Sequence, residues 1–252
     1  MIVIYDVYFI MCKTLSRLIV LPRISVFLCL LLLGLMSTSI NADEVSARSD
    51  TSKRIDATPW QRWKTSDNLS LYYRDYKDSP LIEIKAQARL QSSLSGFLLF
   101  LQDYPLIPNW LENAKRAELI EQTSETENLF ITAFKGIWPV SEREMVIRSR
   151  YWQNPDLSVE LAVQDANHEV ANPKSIIRIK IEKAHWVLTP LAQGKIKIEH
   201  FMVADPMGDV PHWIANKVAL RSMWKTLTAL EAQLSASPWQ QMPIPGIIEP
   251  SQ

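Results

Sequence analysis

Four histidines, at positions 168, 185, 200 and 212, are the first places to look for chemistry in this chain. Their spacing matches no metal-binding H-E-x-x-H run, and neither a G-x-S-x-G elbow nor a phosphate-cradling glycine loop accompanies them. The carboxylates fall on the polar phase of alternating segments. No catalytic residue, metal ligand or cofactor is therefore assigned. What does stand out is a polar group on an apolar face: His200 shares the phase of Ile198, Met202 and Ala204 in the run G-K-I-K-I-E-H-F-M-V-A. A buried imidazole needs a partner, so His200 is either satisfied within a core or available to a ligand hydroxyl or head group. Ser149 and Tyr151 could add hydroxyls. Asn216 could add an amide, unless that amide bonds the backbone of the preceding turn.

These residues must be positioned by extended segments and one long helix. Residues 60–89 read as three strands in a meander, separated by S-D-N and K-D-S-P. The dense apolar run 93–104 reads as a short buried helix stopped by Pro105 and Pro108. Six further strands follow, at 117–123, 128–135, 143–152, 157–163, 175–189 and 194–204. Period-2 alternation turns Met145, Ile147, Ser149 and Tyr151 to one side, with Val159, Leu161 and Val163, then Ile177, Ile179 and Ile181, on the next strands. Arg148, Arg150, Arg178, Lys180, Lys195 and Lys197 alternate with this set and point outward, unless a bulge turns an Arg inward toward Glu144 or Glu160. The final helix begins after D-P-M-G-D-V-P, with Pro211 in its first turn and Asp209 as cap. Trp213, Leu220, Leu227 and Leu234 recur every seven residues along it, and Asn216, Met223 and Leu230 lie three further on, so one stripe must cover apolar surface.

The ends and the composition limit the function classes. Residues 1–42 have basic Lys13, Arg17 and Arg23, the apolar run Ile24–Met36 and small residues ending at Ala42, the parts of a secretory signal peptide or of an uncleaved N-terminal anchor. An exported location, periplasmic or secreted, is expected, with membrane anchoring if the segment is uncleaved. Both cysteines, Cys12 and Cys29, fall in this segment, so a disulfide framework and a Cys nucleophile are excluded downstream of it. The segment holds three Lys or Arg and one acidic residue of 27 each, leaving 24 against 26 and a net of −2. No basic footprint points to nucleic acid. Residues 43–57 form a polar leader, 58–236 a single domain, and 237–252 a Pro-rich tail expected to run extended along the surface or to be disordered.

The element order describes an α+β helix-grip fold: a curved antiparallel sheet of about nine strands around a long C-terminal helix, leaving a hydrophobic cavity between them. Four stretches carry a family resemblance. They are W-K-T-S-D-N-L-S-L-Y-Y-R (63–74), W-P-V-S-E-R-E-M-V (138–146), I-I-R-I-K-I-E-K-A-H-W-V-L-T-P-L (176–191) and D-P-M-G-D-V-P-H-W-I-A-N-K (205–217). Together they resemble the START domain, with Glu144 and Met145 in place of the family's usual Asp and aromatic residue. The resemblance implies that one lipid or sterol-like molecule is held in the cavity, gated by the C-terminal helix and by a loop placed at 165–174. On that view the ligand contacts come from Ile147, Ser149, Tyr151, Leu161, Ile179, Ile198, His200, Met202, Trp213, Asn216, Leu220, Met223 and Leu227. The resemblance leaves three readings open: a monomeric binder and carrier with transient membrane contact, a cyclase-like cavity enzyme using His200, and a scaffold with a collapsed cavity.

Overall fold

The computed structural model describes residues 58–136 and 140–250; the leader segments 1–42 and 43–57 lie outside these residues. The sheet has nine antiparallel strands in the order β1-β2-β3-β9-β8-β7-β6-β5-β4. They are β1 (Gln61–Thr65), β2 (Leu69–Asp75), β3 (Ile82–Gln91), β4 (Ala114–Gln122), β5 (Glu127–Phe134), β6 (Arg143–Gln153), β7 (Val159–Asp165), β8 (Lys180–Leu191) and β9 (Lys195–Asp205). Sequential hairpins account for all but one pairing. The exception is β3 with β9, which joins the opening meander to the last strand and fixes Ala86 opposite His200.

Between β3 and β4 the chain crosses to the far edge through α1 (Leu94–Leu101), a 3-10 turn at Tyr104–Leu106 and α2 (Ile107–Trp110). Pro105 and Pro108 do not simply end a helix, as the sequence suggested. Each occupies the first turn of the next short helical piece, where a missing N–H costs nothing. Helix α1 is buried at Leu94, Phe97, Leu98 and Phe100, and the side chain of its cap, Ser93, accepts from Gly96 N at 2.9 Å. The long helix α3 (His212–Gln233) lies across the concave side of the sheet.

Two expectations about the last third of the chain are corrected. Residues 175–179 do not open β8. Glu144 N donates to Ile177 O at 3.0 Å and Ile179 N to Glu144 O at 2.8 Å, so this segment pairs with the start of β6, with a parallel bridge at Arg178. The tail, for its part, does not run free along the surface. Leu234–Ala236 and Pro238–Gln241 form 3-10 turns, and Ile244 and Ile247 pack against the core. Trp239 Nε1 donates to Asp103 at 3.0 Å, and Gln240 Oε1 accepts from Ser93 N at 3.1 Å. The Glu249 carboxylate accepts from Leu94 N at 3.0 Å and Ser95 N at 2.8 Å. It thereby meets two of the free N–H groups at the N-terminus of α1, where a negative charge is also favoured by the helix dipole.

This contact is testable by denaturation. Glu249→Ala should lower unfolding stability by about 1 kcal/mol, read from the urea midpoint, and Glu249→Gln should fall between the two because it keeps an acceptor but loses the charge. An unchanged midpoint in Glu249→Ala would show that the tail does not hold α1.

Candidate functional site

The sheet and α3 meet at one end and part at the other. Register partners across the sheet define levels. At one level Tyr151, Leu161, Trp186 and His200 follow one another on β6, β7, β8 and β9. One step beyond lie Ile198, Leu188 and Val159, all essentially inaccessible and part of one core cluster with Phe97 and Leu230. One step the other way, Asn128, Ser149, Val163, Ala184, Met202 and Ile84 are register partners from β5 round to β3. They border a cavity of about 340 Å³ that reaches to the strand ends at Phe134, Arg143 and Ala204. The Tyr151–His200 level is therefore the cavity floor.

Side-chain size along α3 explains the parting. Leu227, Leu230 and Leu234 are fully buried and weld the second half of the helix to the sheet, each contributing roughly 2 kcal/mol or more by burial. The first half presents Ala215, Val218, Ala219 and Ser222, with Asn216, Met223 and Thr226, and these line the cavity instead of filling it. Polar ties pin the helix on both flanks without filling the gap. Asn216 Nδ2 donates to Pro80 O at 3.1 Å, Asn113 Nδ2 to Ser222 Oγ at 3.0 Å, and Glu112 N to Thr226 Oγ1 at 3.1 Å.

Of the residues expected to touch a ligand, Ile147, Ser149, Tyr151, Leu161, Ile179, His200, Met202, Asn216 and Met223 lie on the cavity wall. Four do not. Ile198 has the right phase but sits below the floor, and Leu220 and Leu227 are consumed in packing. Trp213 is 64% exposed and points to solvent. A strict seven-residue repeat drifts by about 20° per heptad on a straight helix, so the stripe that is buried at Leu234 has rotated by about 60° at Trp213. The Asn216 amide reaches the β2–β3 turn, not its own preceding turn.

Several polar lining residues had no counterpart in the sequence reading: Tyr104, Trp110, Asn128, Thr132 and Arg143. Asn128 and Thr132 were hidden because β5 is apolar in both phases. Its other face, Leu129 and Ile131, is buried with Val146 and Ala166 in a second cluster on the convex side of the sheet. That cluster is covered by Val170, from the loop expected to gate the cavity. The loop 165–174 contributes no lining residue. Arg178 ties it down by donating to the carbonyl oxygens of Asn167, Val170 and Ala171. The rim is built instead by Lys135, Val140 and Ser141 from the β5–β6 connection and by Pro206 and Val210 from the turn before α3.

Arg143 joins those two rim segments. It is 4% exposed and donates to Ser141 O at 2.6 Å, Pro206 O at 2.8 Å and Met207 O at 3.1 Å. Burial lowers its basicity, and carbonyl dipoles rather than a carboxylate hold the charge. The carboxylates suggested for an inward Arg are engaged elsewhere, Glu144 with Arg116 and Glu160 with His185 at 3.3 Å. The turn itself needs Met207 and Gly208 at φ 56° and 70°, and a Cβ on Gly208 would stand 3.0 Å from Ile177 Cδ1. Asp205 accepts from Met207 N at 2.8 Å. Asp209 provides no side-chain cap to α3, whose first bonds run from Ile214 N and Ala215 N to Pro211 O.

The cavity lining is largely neutral. Ser149 Oγ donates to Asn128 Oδ1 at 2.6 Å, and Tyr151 Oη donates to Glu125 O at 3.2 Å. Tyr104 Oη, Trp110 Nε1 and Thr132 Oγ1 are buried without a protein partner, a state that costs roughly 1–3 kcal/mol per group if nothing else meets them. Burial pushes the Tyr104 phenol up to about 12, so it stays a donor. The His200 ring stacks on Trp186 with centroids 3.8 Å apart and planes 15° from parallel. Its burial pushes the imidazole down to about 4, outweighing the bond to His185 O.

A pH dependence follows. Between pH 6.5 and about 4 the unfolded chain binds a proton at His200 that the folded chain refuses, so stability falls as pH falls through this window. The loss is on the order of 3 kcal/mol. His200→Phe removes it, so the stability difference between wild type and variant should change by that amount between pH 7 and pH 4 in urea titrations. A difference that is flat with pH would refute a buried neutral imidazole.

Comparison with known proteins agrees with this geometry. The family model described as START domain matches residues 60–240. A Pseudomonas aeruginosa protein, PA1579, is 20% identical over 176 residues, which are 70% of this chain and 87% of that one. A fragment of the STAR-related lipid transfer protein from Xanthomonas axonopodis superposes with a TM-score of 0.64 at 27% identity, over 69% of this chain and 98% of the fragment. The human StarD13 lipid transfer and protein localization domain gives 0.61 at 18% identity, over 73% and 91%. With a nine-stranded sheet gripping a C-terminal helix over an apolar cavity, and a family model matched across 60–240, the chain belongs to the START domain family.

Proposed function

We propose that this protein binds one lipid-like molecule in the cavity between sheet and α3 and carries it between membranes, without covalent chemistry. The observation that carries the reading is the failure of the two walls to meet: about 340 Å³ remain beneath Ala215, Ala219 and Ser222, lined chiefly by Ile, Leu, Val, Phe and Met. A volume in the small-ligand range, walled mostly by apolar side chains, suits a hydrophobic guest. Burying that guest offsets its removal from a bilayer at about 25 cal/mol per Å² of apolar surface. The description of the Xanthomonas relative as a lipid transfer protein supports transfer as well as binding.

The gate in this reading is the rim joined by Arg143. Opening it means separating the β5–β6 connection from the Asp205–Pro211 turn, which breaks the bonds of one guanidinium to three carbonyls. Beside that turn, Trp213 stands exposed with Lys217 Nζ 5.2 Å from its ring centroid, and Met207 is also exposed. An aromatic ring and a cation at the mouth suit the interfacial zone of a bilayer, where each basic residue near an anionic surface contributes about 1 kcal/mol. The export expected from residues 1–42 would place this activity outside the cytoplasm. A cyclase-like reading draws less support, because an imidazole held near pKa 4 is a weak general base at neutral pH.

Two measurements check the proposal. Mass spectrometry of lipids extracted from natively purified protein should find one hydrophobic species near equimolar amount, and its absence after expression in a lipid-containing host would refute binding. Trp213→Ser should slow transfer between anionic vesicles by roughly tenfold, the order of one lost interfacial anchor, while leaving affinity for the ligand in solution unchanged. Equal transfer rates would place the membrane contact elsewhere.

A further inference from the structure

The chemistry of the cavity floor specifies more than greasiness. On that floor Leu161 is hydrocarbon, Tyr151 has given its hydrogen to Glu125 O, and Trp186 is stacked on His200. His200 has one engaged nitrogen: Nδ1 lies 3.1 Å from the carbonyl oxygen of His185. A carbonyl can only accept, so Nδ1 carries the hydrogen. The ring is neutral at pH 7, which leaves Nε2 with a bare lone pair, and no donor from the described residues reaches it. His200 is 5% exposed and lines the cavity. The floor thus presents a hydrogen-bond acceptor among the rings of Tyr151 and Trp186 and the side chain of Leu161.

The charged groups are distributed differently. Lys135, Glu112 and Arg143 border the cavity at its strand-end mouth, near the ends of β5 and the starts of β4 and β6. Glu112 is engaged with Lys225 at 2.7 Å, and Arg143 with carbonyl oxygens. Deeper in, the unpartnered buried groups are Thr132 Oγ1, Trp110 Nε1 and Tyr104 Oη, all uncharged. A carboxylate or phosphate pushed to the floor would find a lone pair facing it and no cation. A volume of about 340 Å³ also lies at the low end of the range for small-molecule sites, roughly 300–1,000 Å³, which suits one alkyl chain or a fused-ring skeleton more than two long acyl chains.

Resting on the lipid-binding reading above, we infer that the ligand is an uncharged single-chain or fused-ring amphiphile bearing a hydroxyl, which enters hydroxyl-first and donates to His200 Nε2 at the cavity floor. Its apolar body then lies between the sheet and the small-residue half of α3.

The test compares three probes of similar length, dodecan-1-ol, 1-methoxyundecane and dodecanoate, by displacement of a fluorescent alkyl probe from the full chain. The alcohol and the ether have the same number of heavy atoms and differ in the donor hydrogen. Wild type should bind the alcohol about tenfold more tightly than the ether, the size of one hydrogen bond to a buried acceptor, and dodecanoate most weakly. In His200→Phe, which keeps a ring against Trp186, the preference for alcohol over ether should fall below about twofold. In His200→Gln, which keeps an acceptor oxygen, part of it should return. Equal binding of alcohol and ether by wild type, or tightest binding of dodecanoate, overturns the inference while leaving lipid binding intact. The wild-type comparison decides this even if a variant does not fold. If neither the fluorescent alkyl probe nor any of the three binds, the lipid-binding reading fails and this inference with it.

Discussion

One helix cannot fill the concave side of a sheet this strongly curved along its whole length. Where α3 carries Leu227, Leu230 and Leu234, side-chain volume closes the distance and the core is solid against Ile198, Leu188 and Phe97. Where it carries Ala215, Ala219 and Ser222, the same separation is left open. Native interiors are packed at near-crystalline density, so a void of this size persists only because the lower half of the helix fixes the backbone spacing for the upper half. The cavity is therefore a consequence of the leucines below it as much as of the small residues above it. Its floor lies where the large side chains begin.

The polar design of the molecule follows from that geometry. Ties from Pro80, Glu112 and Asn113 to α3 hold the helix at its distance from outside the gap, because polar bonds at the flanks do not consume interior volume. Arg143 performs the corresponding task at the mouth. Its planar guanidinium collects carbonyls from two loops, a geometry that a lysine's single ammonium would not reproduce. The D-P-M-G-D-V-P turn is thus less a helix cap than the socket for that side chain. Its two positive-φ residues bring Pro206 O and Met207 O to face Arg143.

Two segments act as covers, the loop 165–174 on the convex side of the sheet and the tail over α1 and the main core. The loop lays Val170 over Leu129, Ile131 and Val146, which otherwise would face water on the outer surface of β5 and β6. The tail returns to α1, where Glu249, Gln240 and Trp239 make bonds with partners 136 to 155 residues earlier in the chain. The loop is mostly polar, with Asn167, Asn172 and Pro173, and the tail is rich in Pro, Gln and Ile, compositions that give no local sign of a docking site.

By itself the sequence determined which side of β6, β7 and β9 faces inward, because alternation along a strand is a local property. It determined the nine strands, the long final helix, the polar oddity of His200 and the four stretches that mark the family. It did not determine depth. Ile198 and His200 share a face and differ by one step along a strand, yet one belongs to the core cluster that includes Leu227 and Leu230 and the other lines the cavity. Nor could it orient β5, which is apolar on both phases until the loop 165–174 is seen to cover one of them, or locate the rim, which Arg143 assembles from segments some sixty residues apart. Tertiary structure decided these points because each depends on which distant side chain arrives to fill a space, and a periodic pattern carries no record of that.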